Sequence, residues 1–503
     1  MIASNENDKH LQVNKVYSQV LGFQHNREFP MSKILTLGAS ALSLALVSGA
    51  AMADDAVYGQ FPVTVKGYSG SKTSSTGYTG QIARHLLHDT LKKLAYKGNG
   101  APNAALKAEM MRYFKGSKEG HAIMAPKTKG SFVIKQTKIE EVSKGKNLAG
   151  KTYKGTVTGM PNGMTGVELV EFWIDKASSA KKGYDYNNGY DYGQLISKFI
   201  MGAVSYSQAV DNYLDEKLEA NKKPNDKPYK KGAPYTGKEH SWDEAFGYFG
   251  VPAHTLKLTP KDVYNIAKRR KEGFPAADFN KDGKVDLKTE MTFGPGYYAA
   301  GFDASVYGKS NGTDYLHTIT RAFLDGRKLI TSANGEKLTD AQRAQLKSYA
   351  AVIGTQWQKV LAEATYKYAG SVYKDMAKLK VIMDAKGDTS KAAKKYLKHW
   401  GELKGFALAL QTGKDNLGET AAKLNRLIGF GPVMLNSSQV VDIDSKGNYV
   451  RDEASWGEYM LHMAKAQHLL EDKFGVKAKN NAIVGDLADI AKQLGAGNSA
   501  END

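Results

Sequence analysis

The chain of 503 residues contains no cysteine. This absence excludes disulfides, thiol catalysis, cysteine-ligated zinc and a lipid-modified N-terminal cysteine. The chain also lacks a His-Glu-x-x-His zinc motif, a phosphate-binding P-loop and a dinucleotide-binding fingerprint. With these enzyme signatures missing, we favour a protein that is not an enzyme.

Acidic residues are scarce relative to basic ones. The chain has 70 Lys and Arg against 52 Asp and Glu, a net charge of +18 at pH 7. Such a surplus favours anionic partners. The basic residues are scattered, which is typical of solvated helix surfaces. No basic motif with interleaved aromatic residues occurs, so we do not expect a nucleic-acid partner.

Long apolar runs are missing except near the N-terminus. An uncharged stretch follows Lys33 and ends in Ala51-Met52-Ala53, a pattern typical of a cleaved signal peptide over 31–53. Residues 1–30 are predicted to be an upstream extension. No later run approaches the roughly 20 apolar residues of a transmembrane helix. We therefore expect an exported protein without a transmembrane anchor, in the periplasm, at the cell surface or outside the cell.

Helical spacing of apolar residues dominates the rest of the chain, for example at 82–94, 314–331, 339–380 and 389–411. The pattern predicts an all-α fold, a duplicated helical bundle with a small N-terminal extended or β segment and loop insertions. Residues 273–312 are interpreted as rich in loops. The predicted segments are 54–160 with the first helix and extended loops, 161–255 as a first bundle unit, 256–312 as a connecting region, and 313–495 as a second bundle unit.

A weak internal repeat supports the duplication. Residues 198–203 resemble residues 321–326, because both place bulky apolar residues before a small one. Each segment is followed by a Trp-x-Glu block, at 242–244 and at 400–402. A duplicated helical unit is the simplest explanation, and chance similarity among helices is the alternative.

Several blocks in order resemble the imelysin-like superfamily of bacterial envelope proteins, in particular a branch whose domain has no assigned function. The resembling blocks are 80–84, 201–208, 242–250, 322–327 and 399–406. The resemblance implies two related helical bundles in the periplasm or at the surface and, for the wider superfamily, a link to iron uptake. Within or beside these blocks, the candidate ligand-binding residues are Arg84, Gln208, His240, Glu244 and Arg327.

His399 and Glu402 form the candidate site for iron or another transition metal. They supply the His-x-x-Glu part of the superfamily's Gly-x-His-x-x-Glu motif, with Leu397 in place of the glycine. A spacing of three puts both side chains on one helix face. Together they could share a metal ion if other helices add ligands. The alternative is an ordinary pair of surface side chains.

A calcium-binding loop is predicted between the two bundle units. Oxygen-bearing residues and a glycine recur with EF-hand spacing, and Glu290 stands one residue after the usual closing position, which Thr289 occupies. The predicted ligands are Asp278, Asn280, Asp282, the carbonyl of Lys284, Asp286 and Glu290. We expect calcium to have a structural role here. The alternative is a plain turn rich in Asp and Asn.

These patterns support one leading hypothesis and two alternatives. The leading hypothesis is an exported helical protein that binds a ligand, such as iron or a metal complex, between two bundles. The first alternative is a metal-dependent peptidase. The second is a structural or adhesive surface protein that contacts anionic polysaccharide or other envelope proteins. The tyrosine-rich stretch 184–192 could stack on sugar rings, although its Gly, Asn and Asp content is typical of a loop.

Overall fold

Helices form most of the chain in the computed structural model, which describes residues 55–116 and 120–497. The helices of these residues are α1 Thr79–Ala95, α2 Ala104–Lys115, α3 Gly166–Ser179, α4 Tyr192–Ile200, α5 Gly237–Phe249, α6 Pro260–Lys268, α7 Phe274–Ala277, α8 Gly294–Val306, α9 Tyr315–Ser332, α10 Asp340–Asp384, α11 Ser390–Leu410, α12 Gly418–Ile428, α13 Trp456–Phe474 and α14 Leu487–Leu494. The predicted all-α fold is confirmed. The predicted extension 1–30 and signal peptide 31–53 lie outside the described residues.

Two small antiparallel sheets accompany the helices. Strand β1 Tyr184–Asp185 pairs with β2 Tyr190–Asp191, and β3 Ser438–Ile443 pairs with β4 Tyr449–Glu453. The N-terminal segment contributes isolated bridges, among them a parallel one between Ile134 and Val285. The extended N-terminal segment therefore packs along the helices without forming a sheet of its own.

Threonine side chains define the starts of several helices. Thr236 accepts a hydrogen bond from the N–H of Glu239, whose side chain in turn accepts from the N–H of Thr236. This capping box satisfies N–H groups that lack partners in the first turn. Thr165, Thr259 and Thr339 begin α3, α6 and α10 in the same way. The helix starts are thus encoded locally.

The helices of the two predicted bundle units pack across each other. Helix α4 from the first predicted unit packs on α11 from the second. Helix α9 from the second packs on α5 from the first, where the indole N–H of Trp242 donates to the carbonyl of Phe323. Buried residues of both segments belong to one continuous hydrophobic core.

Small residues permit the close approach of α4 and α11. A Cβ at Gly202 would lie 2.5 Å from the Cβ of Ala409. Beyond Ile200 the helix continues as two π-helical segments, Met201–Tyr206 and Gln208–Tyr213. Such wide turns are rare and are often found at functional sites. None of the described helices is both long and apolar enough to cross a membrane.

Candidate functional site at the crossing of helices α4 and α11

Glu402 lies buried where α11 crosses α4, between two lysine ammonium groups. The Nζ of Lys198 is 3.7 Å from Oε1, and the Nζ of Lys398 is 3.3 Å from Oε2. Lys198 is buried as deeply as the carboxylate. The Oε2 atom makes no hydrogen bond within the described residues. Its carboxylate is thus held by charge, and Oε2, although paired with Lys398, can still accept a hydrogen bond.

Two more lysines interact electrostatically with Glu402. Lys92 of α1 and Lys367 of α10 are half-buried, and the charge of Glu402 acts on both. We call Lys92, Lys198, Lys367 and Lys398 the lysine cluster. The acidic groups that act on it are chiefly Glu402 and Asp89. With Asp191, which also acts on Lys92, four lysines therefore face three carboxylates.

The pKa directions show that positive charge is in surplus. Burial lowers the pKa of Lys198, and Glu402 opposes that shift only in part. Burial, together with neighbouring Lys198, lowers the pKa of Lys92 to about 7. Burial alone would raise the pKa of Glu402, but the surrounding lysines lower it. Burial thus disfavours the charged form of Lys92, Lys198 and Lys367, whereas the lysines favour the charged form of Glu402.

Glycine and aromatic residues position Lys198. A Cβ at Gly405 would lie 2.6 Å from the Cβ of Lys198, so only glycine lets the two helices approach this closely. The ammonium lies 5.3 Å from the ring centroid of Tyr298 and 5.8 Å from that of Phe406. Such cation–π contacts stabilise a charged amine away from water. The lysine is therefore held in place next to Glu402.

His399 has a different partner from Glu402. Its Nδ1 lies 2.5 Å from the Oδ2 of Asp375, which also pairs with Lys395 at 2.9 Å. Within the part of the chain that the structure describes, no group of three or more His, Cys, Asp and Glu is arranged to hold a metal ion. The metal site at His399 and Glu402 stays a prediction.

The predicted calcium loop folds around Glu290. This carboxylate, buried in the loop, accepts hydrogen bonds from the N–H of Asn280 (3.3 Å) and of Asp286 (2.7 Å). Asp278 accepts from the N–H of Gly283 through Oδ2, while its buried Oδ1 has no hydrogen-bond partner among the described residues. No helix leaves the loop before Gly294. Glu290 thus points into the loop in spite of its late position.

The rest of the predicted loop ligands lie around this centre. Asp282 is the exposed tip, bound by Lys135 at 3.2 Å, and the side chain of Lys284 is exposed. Asp286 accepts a hydrogen bond from the Nε2 of Gln136 at 2.7 Å. Several carboxylates are therefore occupied by N–H groups and would have to turn toward a cation to bind it.

A second crossing, of α1 with α5, has Arg84 on one helix and His240 and Glu244 on the other. The Nε2 of Gln81 donates to Glu244 at 2.8 Å, and His240 lies 3.8 Å from the same oxygen. Arg84 donates from Nε to the carbonyl of Asn147 at 2.9 Å. The arrangement resembles the first crossing, because Gly-Gln opens both α1 and α4 and Trp-x-Glu-x-x-Gly recurs in α5 and α11.

The remaining predicted ligand-binding residues are Arg327 and Gln208. They lie apart from the carboxylates of Glu402 and Glu244. Arg327 is fully buried and pairs with Glu239 (3.1 Å) and Asp243 (2.9 Å). Its guanidinium also donates to Ser75 and Thr331. Gln208 is half-buried in the second π-helical segment and accepts from Asn212. Arg327 therefore belongs to a fully buried network of ion pairs and hydrogen bonds with a structural role.

One stretch of the chain matches a family model. Residues 162–266 match the Domain of unknown function (DUF4856). No curated protein and no solved structure matches the chain. The DUF4856 match fits the predicted branch whose domain has no assigned function, and the imelysin-like resemblance stays a prediction. The DUF4856 stretch includes Lys198 and Glu244, so it supplies one side of each crossing.

No sequence pattern predicts the lysine cluster. Its members come from four helices and are separated by up to several hundred residues, so no local pattern joins them. One signal was available inside the DUF4856 stretch: Lys198 stands between Leu195 and Phe199, on the apolar face of a helix. A lysine at such a position is rarely buried without a partner.

Proposed function

We propose that this chain is an exported, non-enzymatic protein that binds an anionic small ligand at the lysine cluster. The supporting observation is the surplus of ammonium groups around Glu402. Like charges held together in a poorly solvated place raise the free energy of the empty site. A carboxylate-bearing ligand removes that cost when it binds. A metal complex with free carboxylate groups belongs to this class, which keeps the predicted link to iron.

A bare cation fits this place less well. Lys198 and Lys398 already pair with the one buried carboxylate there, and a second cation would meet their repulsion. The metal would have to bring its own anionic ligands. The proposal therefore concerns iron as a chelate and not as a free ion.

Calorimetric titration of the chain without residues 1–53 tests this proposal. We expect citrate and ferric citrate to bind, and ferrous chloride under argon to give no binding heat. Lys398→Met, which alters a half-buried side chain, should weaken citrate binding at least tenfold. Lys380→Met is the matched control, because Lys380 is an exposed lysine that pairs with Asp384. Binding of ferrous ion alone, lost in His399→Ala but kept in Lys398→Met, contradicts the anion proposal.

Calcium binding by residues 278–290 is a second proposal, with a structural role. It rests on Glu290, whose buried carboxylate points toward the loop backbone, and on the unpartnered Oδ1 of Asp278. Oxygen ligands of this kind suit a hard cation. The loop joins the N-terminal segment through the Ile134–Val285 bridge, so a bound ion would hold these two parts of the chain together.

A further inference from the structure

A cavity of about 360 Å³ has no member of the lysine cluster among its lining residues. It is bounded by the β1–β2 hairpin, by α11, by the segment before β3 and by β4. Residues that line it include Tyr186, Asn187, Leu397, Met434, Asn436 and Arg451. Its volume is in the range of small-ligand pockets, about 300–1,000 Å³.

An exposed tyrosine forms one wall. The side chain of Tyr186 is 49% exposed, although large aromatic residues are usually buried further. Its ring stacks on that of Tyr184, with centroids 5.5 Å apart and an angle of 15° between the planes. The free face of such a ring carries partial negative charge and attracts the C–H groups of a flat ligand. A sugar ring presents C–H groups of this kind on one of its faces.

The hairpin holds Tyr186 in a fixed position. The Oδ1 of Asp185 accepts hydrogen bonds from the N–H groups of Asn187 (3.1 Å) and Asn188 (3.0 Å). Gly189 has φ +83°, and a Cβ there would lie 2.3 Å from the Cγ of Pro432. The side chain of Asp185 therefore closes the turn. Gly189 packs against Pro432, which follows the end of α12. A ring fixed before binding loses little entropy when a ligand stacks on it.

The polar side of the cavity is cationic. Arg451 is the charged residue among those that line it. Within the described residues, its guanidinium makes one hydrogen bond, from Nη1 to the carbonyl of Asn187 at 3.2 Å. The remaining N–H groups can therefore receive a carboxylate, for which the guanidinium geometry is well suited. Lys394, whose Nζ is 4.9 Å from the ring centroid of Tyr184, adds positive charge behind the stack.

We propose that this cavity binds one sugar residue of an acidic polysaccharide. The sugar ring stacks on Tyr186, its carboxylate pairs with Arg451, and the amides of Asn187 and Asn436 are placed for its hydroxyl groups. The site is independent of ligand binding at the lysine cluster. A polysaccharide bound here would attach the protein to a surface that carries such polymers.

Titration with a hyaluronan hexasaccharide, which contains glucuronate, tests the site. We expect saturable binding, at least tenfold weaker for a neutral glucose oligomer of the same length. Tyr186→Ala and Arg451→Gln should each weaken binding at least tenfold, and Tyr186→Phe should retain it. The matched controls are Tyr307→Ala, at a tyrosine that is 78% exposed, and Arg321→Gln, at an exposed arginine on α9. Neither control should change the affinity.

Two results would overturn the proposal. If Tyr186→Ala binds as well as the unchanged chain, the attraction is only that of a basic protein for a polyanion. If a peptide with a C-terminal aromatic residue binds the unchanged chain but not Tyr186→Ala, while the hexasaccharide does not bind at all, the cavity recognises protein. Salt dependence also distinguishes specific binding from non-specific attraction to a polyanion. Stacking on Tyr186 persists at ionic strengths that screen long-range charge.

Discussion

The Nε of Arg327 lies 2.9 Å from the Oδ1 of Asp243, with both side chains completely buried. The same Asp243 oxygen accepts the hydroxyl of Tyr58 at 2.7 Å. The ring of Phe61 covers the guanidinium, whose central carbon is 4.5 Å from the ring centroid. One ion pair thus joins the N-terminal segment, α5 and α9.

Replacing this arginine should destabilise the fold strongly. Arg327→Met leaves the carboxylates of Glu239 and Asp243 buried without their cation. Breaking a buried pair in this way costs about 3–5 kcal/mol. The measurement is the free energy of unfolding in urea. Lys380→Met, which breaks the exposed pair with Asp384, should cost less than about 1 kcal/mol. Equal losses for the two variants would contradict the structural role of Arg327.

Stability should rise with pH because of Lys404. Burial lowers the pKa of this lysine to about 7, while its unfolded value is near 10.5. Between these values the unfolded chain holds the proton and the folded chain does not, so the free energy of unfolding increases with pH by about 1.4 kcal/mol per unit for this group. Lys404→Met should reduce the slope between pH 7 and 10 by about that amount. An unchanged slope would show that the lysine is charged when buried.

Anion binding at the lysine cluster should weaken as the pH rises above 7. Burial and Lys198 lower the pKa of Lys92 to about 7, so its ammonium form is lost there in the free protein. Since the anion binds the ammonium form, the affinity should fall by up to about tenfold per pH unit. Titration of citrate from pH 6 to 8.5 measures this, and Lys92→Met should show a flatter profile. An identical profile in both proteins would exclude Lys92 from the site.

Removing a lysine from the cluster should raise stability while it lowers affinity. Lys92→Met relieves the repulsion by Lys198 and removes a charge that burial disfavours. We expect an unchanged or higher melting temperature together with weaker citrate binding. Stability exchanged for function in this way is typical of binding sites. A variant that loses both would point to a purely structural lysine.

Calcium should stabilise the chain through residues 278–290. At 10 mM calcium and a dissociation constant near 10⁻⁴–10⁻³ M, the gain would be about 1–3 kcal/mol. Thermal unfolding with calcium and with a chelator measures it. Glu290→Gln should abolish the gain, whereas Glu272→Gln, at an exposed carboxylate just before α7, should keep it. If a chelator does not change the thermal unfolding of the unchanged chain, calcium binding by this loop is contradicted.

Much of the helical architecture is readable from the sequence. The predicted helices 339–380 and 389–411 correspond to Asp340–Asp384 and Ser390–Leu410, because an apolar stripe defines both of them and the capping Thr339 marks the start of the first. The sequence pattern does not predict helix α8, because the Gly-Pro-Gly start of this helix is typical of a loop. Its Gly296 is in fact required by packing, since a Cβ there would lie 2.4 Å from the Cγ1 of Val251.

The candidate site was much less predictable. The sequence predicts Glu402 as a metal ligand together with His399, because a spacing of three is visible in a sequence and a contact with Lys198 is not. The π-helical segments after Ile200 also have no pattern of their own. Both features depend on the pairing of α4 with α11, which only the folded chain reveals.

That pairing also sets an order of assembly. Thr158 and Gln411 exchange hydrogen bonds between parts of the chain 253 residues apart, and Glu402 meets Lys198 across a similar interval. Contacts so distant in sequence close slowly. As the chain is synthesised from its N-terminus, α4 can pack on α1 and α3 early, but its contacts with α11 form only after α11 has been made. The lysine cluster is therefore complete only once most of the chain has been made, and a truncated chain that ends before Ser390 would lack it.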